Sequence, residues 1–228
     1  MSEEVPPKAV VDLPTEFDSP TFVGASAADS IAPSRFEEAY RGRPPWDIDG
    51  PQPYFARLLD AGLIQGRVLD VGCGTGENAL FFASRGLHVT GLDASAVAID
   101  RAQAKARTRK LAVRFIQGDA LRLAALAETF DTVTDCGLLH VFSDQDVELL
   151  IRGVHAVLRP AGLYWLMCFS EHATFPGPRR LTQQHIASLL KDGWQIRSIE
   201  HAGFEVIAGR GEHEGKIAAA WLAGIERL

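Results

Sequence analysis

The chain has 228 residues, of which 46% are hydrophobic, and a formal net charge of −6; this length can bury the core of one α/β domain. It contains no apolar run of transmembrane length and no signal-peptide pattern, so we expect a cytoplasmic protein without a membrane partner. The acidic balance offers no basic surface for nucleic acid, and neither the three cysteines nor the seven histidines show metal-ligand spacing, so we expect neither a nucleic-acid partner nor a metal.

Residues 1–33 form the first compositional segment. They contain five prolines, and six acidic residues against one lysine precede Arg35, a net charge of −5. No apolar period persists, which favours a flexible acidic tail over a folded subdomain. We therefore expect the folded domain to span residues 34–228.

Residues 34–62 precede the first predicted strand. Ser34, followed three positions later by Glu37, predicts a short helix with a capping box. The stretch P-P-W-D-I-D-G-P-Q-P then holds four prolines and a glycine, which predicts a stiff loop without regular structure. A helix is expected over Pro51–Ala61, ended by Gly62. The loop is either a plain connector or a cover over a ligand site.

The segment Arg67–Glu77, R-V-L-D-V-G-C-G-T-G-E, organises the rest of the chain. A short apolar run rich in β-branched residues predicts a buried strand. Glycines then occupy every second position from Gly72 to Gly76, and from Glu77 the apolar spacing becomes helical. Because glycine lacks a Cβ, its backbone can turn sharply and approach a ligand closely. The loop therefore joins a strand's carboxyl end to a helix's amino end, where open α/β sheets bind ligands.

The spacing of these glycines separates two kinds of ligand. A dinucleotide fingerprint runs G-x-G-x-x-G, with the pyrophosphate on the helix N-terminus, whereas this loop runs G-x-G-x-G followed by Glu77. A carboxylate at that position would repel a pyrophosphate and suits a ligand with positive charge. The second predicted strand, Leu87–Leu92, leads into Asp93, an acid placed to accept hydrogen bonds from ribose hydroxyls. A nucleotide-binding Rossmann-like domain is the alternative.

Strands and helices continue to alternate after this motif, as is typical of an α/β fold. Helices are predicted to begin at Ser95 and Ser143, and a short one covers Thr182–Leu190. The further strands are predicted at Val113–Gln117, Phe130–Asp135, Leu163–Phe169, Trp194–Glu200 and Lys216–Arg227.

Two of these motifs together resemble a known family. D-V-G-C-G-T-G followed by G-L-D-A-S is similar to the class I S-adenosylmethionine (SAM) dependent methyltransferases, and the resemblance covers roughly residues 35–228. It implies a Rossmann-like α/β fold with a seven-stranded, mostly parallel sheet, helices on both faces and the last strand antiparallel. It also implies SAM as cofactor and S-adenosylhomocysteine (SAH) as product.

The resemblance also implies roles for residues at the cofactor. Asp93 would bind the ribose, Asp119 and the Ala120 amide would contact the adenine edge, and Cys136 would lend its backbone to the methionine moiety. The alternative for Asp119 is a turn aspartate after a strand. The expected cofactor residues are Tyr40, Trp46, Asp70, Gly72, Cys73, Gly74, Thr75, Gly76, Asp93, Ala94, Asp119, Ala120 and Cys136.

The acceptor end of the site carries weaker motifs. The P-P-W-D segment resembles the loop ahead of the glycine motif in small-molecule methyltransferases of the thiopurine and halide/thiol type, which favours a cover in which Trp46 excludes water. The N/D-P-P-Y/F motif of nucleic-acid amino-methyltransferases does not follow the fourth strand. His140 lies there, as a general base or as a packing histidine. The expected acceptor-binding residues are Trp46, His140, Phe175 and Arg179.

These features favour an enzyme that moves a methyl group from SAM to a small acceptor, aromatic or heterocyclic, at oxygen, nitrogen or sulfur. The overall sequence also resembles mycobacterial-type small-molecule methyltransferases, some of which are treated as acting on heterocyclic toxins. Two alternatives stay open. One is a halide or thiol methyltransferase, which needs no general base, and the other is a SAM-binding sensor without catalysis.

Overall fold

The computed structural model describes residues 26–174, 177–207 and 216–228. The helices are α1 (Pro33–Arg41), α2 (Pro53–Asp60), α3 (Glu77–Ser84), α4 (Ala96–Arg109), α5 (Asp144–Val157) and α6 (Gln183–Leu189). The strands are β1 (Arg67–Val71), β2 (His88–Asp93), β3 (Val113–Gln117), β4 (Phe130–Cys136), β5 (Leu158–Phe169), β6 (Trp194–Val206) and β7 (Lys216–Arg227). Two short 3-10 segments, Ala120–Leu126 and Leu139–Val141, follow β3 and β4.

The seven strands form one sheet in the order β3-β2-β1-β4-β5-β7-β6. Strands β1 to β5 are parallel, whereas β7 runs antiparallel to both β5 and β6. The predicted mostly parallel sheet with an antiparallel last strand is confirmed. Strand β6 continues past its predicted end at Glu200, because it pairs with β7 as far as Val206 opposite Lys216.

Apolar side chains fill both faces of the sheet. On one face, Val68 and Val89 pack with buried residues of α2, α3 and α4. On the other face, Leu69 and Val133 pack with buried residues of α5 and α6. Neighbouring residues of one strand serve opposite layers because side chains alternate along it. These two layers fix the positions of the central strand ends.

None of the helices in the described part of the chain is both long and apolar enough to span a bilayer.

The first described residues are docked on the domain. The Ile31 N–H donates to the Val141 carbonyl at 2.8 Å, and the Ala27 carbonyl accepts a hydrogen bond of 3.0 Å from the first N–H of α5. Ile31 itself is buried. The prediction of a flexible tail is therefore wrong for residues 26–33. It was based on local composition, which does not indicate hydrogen-bond partners more than 100 residues away. Its remainder, residues 1–25, lies outside the described residues.

Helix α1 begins earlier than predicted, at Pro33, and its N-cap makes no side-chain hydrogen bond. The predicted capping box of Ser34 and Glu37 is therefore wrong. The Glu37 carboxylate instead accepts a hydrogen bond of 2.5 Å from the hydroxyl of Ser95, the N-cap of α4. A negative charge is favourable there because the helix dipole is positive at the N-terminus. Glu37 thus joins α1 to α4.

Candidate active site

A cavity of about 260 Å³ lies at the carboxyl ends of the central strands, the edge where open α/β sheets bind ligands. Every expected cofactor residue lines this cavity, and so does His140. Phe175 lies outside the described residues, and Arg179 is not part of the cavity wall.

The glycine loop forms part of the cavity wall. Gly72 and Gly74 have φ of 68° and 53°, in the left-handed region that residues with a side chain disfavour. The N–H groups of Gly72 and Cys73 donate to the Leu92 carbonyl at 2.7 and 3.0 Å, which fixes the loop to the end of β2. A Cβ on Gly74 would lie 2.5 Å from the hydroxyl oxygen of Tyr40. The missing side chain therefore lets Tyr40 approach the loop.

Acids at the ends of β2 and β3 line the same cavity. Asp93 accepts the Gly74 N–H at Oδ2 and the Ser95 N–H at Oδ1, both at 2.8 Å. Each carboxylate oxygen keeps a further lone pair, so Asp93 can also accept from ribose hydroxyls. Asp119 accepts the Leu121 N–H at 2.9 Å. It therefore has the turn role that was the alternative to adenine binding, and it lines the cavity as well.

Asp70, at the end of β1, is a buried acid with an unused oxygen. The Thr134 hydroxyl donates to Oδ1 at 2.8 Å, whereas Oδ2 has no hydrogen-bond partner in the described part of the chain. Burial, with added repulsion from Asp135 and Asp93, raises the pKa of Asp70 from 3.8 to about 7. A buried carboxylate oxygen without a partner is costly. This oxygen therefore favours a ligand that brings a donor or a positive charge.

The charge of Glu77 is neutralised by two cations of α4. Lys105 Nζ lies 2.8 Å from Oε1, and Arg109 donates to both carboxylate oxygens at 2.8 Å. Burial would raise the pKa of Glu77, but the hydrogen bonds from Arg109 and Lys105 outweigh it and hold that pKa below its ordinary value. The prediction that Glu77 selects a positively charged ligand is therefore wrong. Its carboxylate joins α3 to α4.

The loop before α2 closes one side of the cavity. Trp46 donates from Nε1 to the Tyr40 hydroxyl at 3.0 Å. The Asp47 carboxylate accepts a hydrogen bond from the Thr75 hydroxyl in the glycine loop. Gln52 exchanges two hydrogen bonds of 2.9 Å with the backbone of β6. These contacts join the loop to two separate walls of the cavity, as a cover over a ligand requires.

His140 lies among aromatic rings, in the 3-10 segment after β4. Its ring stacks on Phe169 with 4.7 Å between centroids and meets Phe204 edge-on at 5.9 Å. Its Nδ1 accepts the Phe169 N–H at 2.9 Å. Burial, reinforced by the charges of Arg180 and Arg179, lowers the pKa of His140 to about 3. Such a group is a poor proton acceptor at neutral pH, so the structure argues against His140 as a general base.

The Arg179 side chain contacts other protein groups. Its guanidinium lies 2.6 Å from the Asp144 carboxylate and 3.0 Å from His185 Nε2, and it donates to the Phe142 carbonyl at 3.0 Å. The side chain is nearly buried by these contacts. The prediction that Arg179 contacts the acceptor is corrected accordingly, because this residue joins the loop after β5 to α5 and α6.

Several residues of the cavity wall are missing from the sequence-based set. Phe169 ends a predicted strand, a position that would have identified it, whereas Phe204 lies beyond the predicted end of β6. Asn78 Oδ1 accepts the Gln52 N–H at 2.9 Å. No local pattern indicates a contact between residues 26 positions apart.

These features fit the SAM implied by the sequence motifs. The unpaired Oδ2 of Asp70 suits the ammonium group of the methionine moiety. Asp93 can still accept hydrogen bonds from the ribose hydroxyls. The glycine loop, whose glycines have no side chains, lies between Asp70 and Asp93 in the cavity wall. A dinucleotide would instead bring a pyrophosphate, which buried acids disfavour.

Comparisons with known proteins agree with this fit. The model of a family described as a methyltransferase domain matches residues 68–162. A 2-heptyl-1-hydroxyquinolin-4(1H)-one methyltransferase of Mycobacteroides abscessus is 32% identical over 182 residues, covering 73% of this chain and 79% of that protein. A probable thiol methyltransferase 2 of Arabidopsis thaliana is 33% identical over 140 residues, covering 60% of this chain and 62% of that protein.

A solved structure has the same fold. It is described as "Conversion of a Disulfide Bond into a Thioacetal Group during Echinomycin Biosynthesis", superposes with a TM-score of 0.79 at 36% sequence identity, and is matched over 85% of this chain and 91% of that chain. The sequence relatives, the sheet order and the acids of the cavity lead to one conclusion. The chain belongs to the class I SAM-dependent methyltransferases, and SAM is its cofactor.

Proposed function

We propose that this methyltransferase acts on a small aromatic or heterocyclic acceptor, at oxygen, nitrogen or sulfur. The observation that carries the proposal is a single cavity with two chemically different ends. The acids at the tips of β1, β2 and β3 and the rings of His140, Phe169 and Phe204 all line this cavity. The acids follow one half of the sheet, β3-β2-β1, and the rings lie on or after β4, β5 and β6 in the other half, so we place them toward opposite ends of the cavity. Aromatic walls favour a flat acceptor ring, because rings pack well in stacked and edge-on geometries.

Methyl transfer from SAM mainly requires that the acceptor atom is aligned with the methyl carbon. Bound SAM supplies a methyl group on a good leaving group. Alignment contributes up to about 7–11 kcal/mol in favourable intramolecular reactions, and a general base contributes about 10²–10⁴-fold. The aromatic walls orient the acceptor, and the cover formed by Tyr40 and Trp46 excludes water. A base in the cavity is therefore not required for a useful rate.

The relatives support this acceptor class and a second candidate. The Mycobacteroides abscessus protein is named for a hydroxyquinolinone, which is an aromatic heterocycle. The Arabidopsis thaliana protein is named as a probable thiol methyltransferase, and the solved structure concerns a disulfide-to-thioacetal conversion. Those two names favour a sulfur acceptor. Thiol or halide methylation also needs no general base, in agreement with the surroundings of His140.

The test is SAH release from SAM with a panel of phenols, hydroxyquinolines, thiols and halides, compared with the rate without acceptor. Product from ring compounds is expected, and product from thiols or halides alone would favour the second candidate. SAM binding without SAH release across the panel would contradict both and favour a non-catalytic sensor. In Asp93→Ala, the rate of SAH release should fall at low SAM concentration, because the ribose hydroxyls lose the carboxylate that accepts their hydrogen bonds.

A further inference from the structure

The buried acid Asp135 holds the segment that carries His140 in place. Asp135 accepts the Leu138 N–H at 2.8 Å and the Leu139 N–H at 3.2 Å. Its Oδ2 also accepts the Tyr164 hydroxyl at 3.0 Å. These bonds fix the turn after β4, so the His140 ring has a defined position in the cavity wall.

A backbone amide decides which nitrogen of His140 carries the proton. The Phe169 N–H donates to Nδ1 at 2.9 Å, and because an amide N–H can only donate, Nδ1 must be unprotonated. In the neutral ring the proton is then on Nε2. This nitrogen makes no hydrogen bond to the described part of the chain. His140 is only 4% exposed and lines the cavity, so its Nε2–H can donate a hydrogen bond to a ligand.

The charges that act on this ring are positive. Arg180 and Arg179, both on the loop after β5, disfavour its protonation. Of the two arginines, Arg180 has the larger effect on the pKa of His140. The Arg180 guanidinium donates to the carbonyls of Gly177 and Pro178, two residues that line the cavity. Positive potential and a free N–H donor together favour an anion at this end.

We propose that the acceptor binds as an anion, an acidic ring hydroxyl or thiol that has already lost its proton to solvent, and that the Nε2–H of His140 donates to the anionic atom. The inference rests on the proposed function, since it names the form in which that acceptor reacts. A lone pair of the anion forms the bond to the methyl carbon while the carbon–sulfur bond breaks and its electrons stay on sulfur, which leaves neutral SAH. His140 takes up no proton and serves as a donor that positions the nucleophile.

Binding of 4-nitrophenol to the SAH-loaded enzyme tests this, because the phenolate has its own absorption band. At a pH just below the pKa of the free phenol, binding should increase that band. The variant His140→Gln keeps an amide donor, whereas His140→Leu has none. We expect His140→Leu to weaken phenolate binding roughly 10- to 100-fold and His140→Gln to weaken it by about threefold or less. Thermal unfolding of both variants checks that each is folded.

Three results would overturn the inference: binding of the neutral phenol, no binding of 4-nitrophenol in either form, or equal affinity in His140→Gln and His140→Leu. Failure of the proposed function gives a different result. In that case the phenolate binds and its affinity depends on the donor, but no acceptor in the panel yields SAH.

Discussion

The hydroxyl oxygen of Tyr40 lies over Gly74, where a Cβ would come within 2.5 Å of that oxygen and 3.4 Å of the ring carbon Cζ. Tyr40 is on α1, and Gly74 is in the loop between β1 and α3. This close approach places the first described helix directly against the cofactor loop. The same hydroxyl accepts the Nε1–H of Trp46. The loop that carries Trp46 and the glycine loop therefore both lie against this one oxygen atom.

Gly74→Ala should weaken SAM binding by about tenfold or more, because its Cβ meets the Tyr40 hydroxyl and alanine disfavours a φ of 53° by ~1 kcal/mol. Tyr40→Phe removes the hydroxyl and leaves the next atom at 3.4 Å. Part of the lost affinity should therefore return in the double variant. Calorimetric SAM titrations of both single variants and the double variant measure this coupling. Strictly additive losses would contradict the contact.

Asp70→Asn should stabilise the ligand-free protein and weaken SAM binding. The pKa of Asp70 rises from 3.8 to about 7 on folding, so between about pH 4 and 7 the unfolded chain has lost a proton that the folded chain keeps. The free energy of unfolding therefore falls as the pH rises through this window. The neutral amide removes that slope and the buried charge.

Thermal unfolding at pH 8 should show a Tm for Asp70→Asn about 2–4 °C above that of the unmodified chain, which corresponds to ~1 kcal/mol at this size. Calorimetry should show at least about tenfold weaker SAM binding, because a carboxylate pairs with an ammonium group better than an amide does. A less stable variant with full SAM affinity would show that Asp70 has a structural role only.

Glu77→Gln should destabilise the fold and leave SAM affinity within about twofold. Its side chain is 9% exposed and holds both Lys105 and Arg109, so the loss should be about 1–3 kcal/mol. The matched control is Glu38→Gln, whose ion pair with Arg41 is mostly exposed and should contribute little. Denaturant unfolding and SAM titration are the measurements. A large loss of SAM affinity at full stability would restore a ligand role for Glu77.

Asp93→Asn should weaken SAM binding by roughly 10- to 100-fold, because one of its two acceptor oxygens becomes an amide donor. The effect includes any loosening of Gly74, whose N–H Asp93 accepts. Asp100→Asn, an exposed acid on α4, is the control and should leave affinity unchanged. Titration calorimetry distinguishes the two. If Asp93→Asn binds SAM as tightly as the control, the ribose assignment is wrong.

The sheet and the glycine loop were predictable because their determinants are local. Strand Val113–Gln117 has the predicted bounds, and α3 begins at Glu77 as the helical spacing indicates. The antiparallel last strand came from the family resemblance, since spacing alone does not give strand direction. Asp93 was predicted from its position at the end of a strand, whereas Asp70 and Asp119 came from the family resemblance.

The roles of individual titratable side chains were not predictable, because their partners are distant in sequence. Glu37 contacts Ser95, 58 residues away, and His140 accepts from an amide 29 residues away. The same applies to Glu77, whose partner Arg109 is 32 residues away. In each case the residue type suggested one role, and the tertiary contacts show a different one.

The central claim is that SAM and the methyl acceptor bind in one cavity. Its most direct test is a crystal structure with SAH and 4-nitrophenol bound together. We predict the SAH amino group at Asp70 Oδ2, the phenol ring beside Phe169, and the phenolate oxygen about 3 Å from His140 Nε2. A phenol bound outside the cavity, or SAH away from the acids at the ends of β1 and β2, would contradict the proposed arrangement.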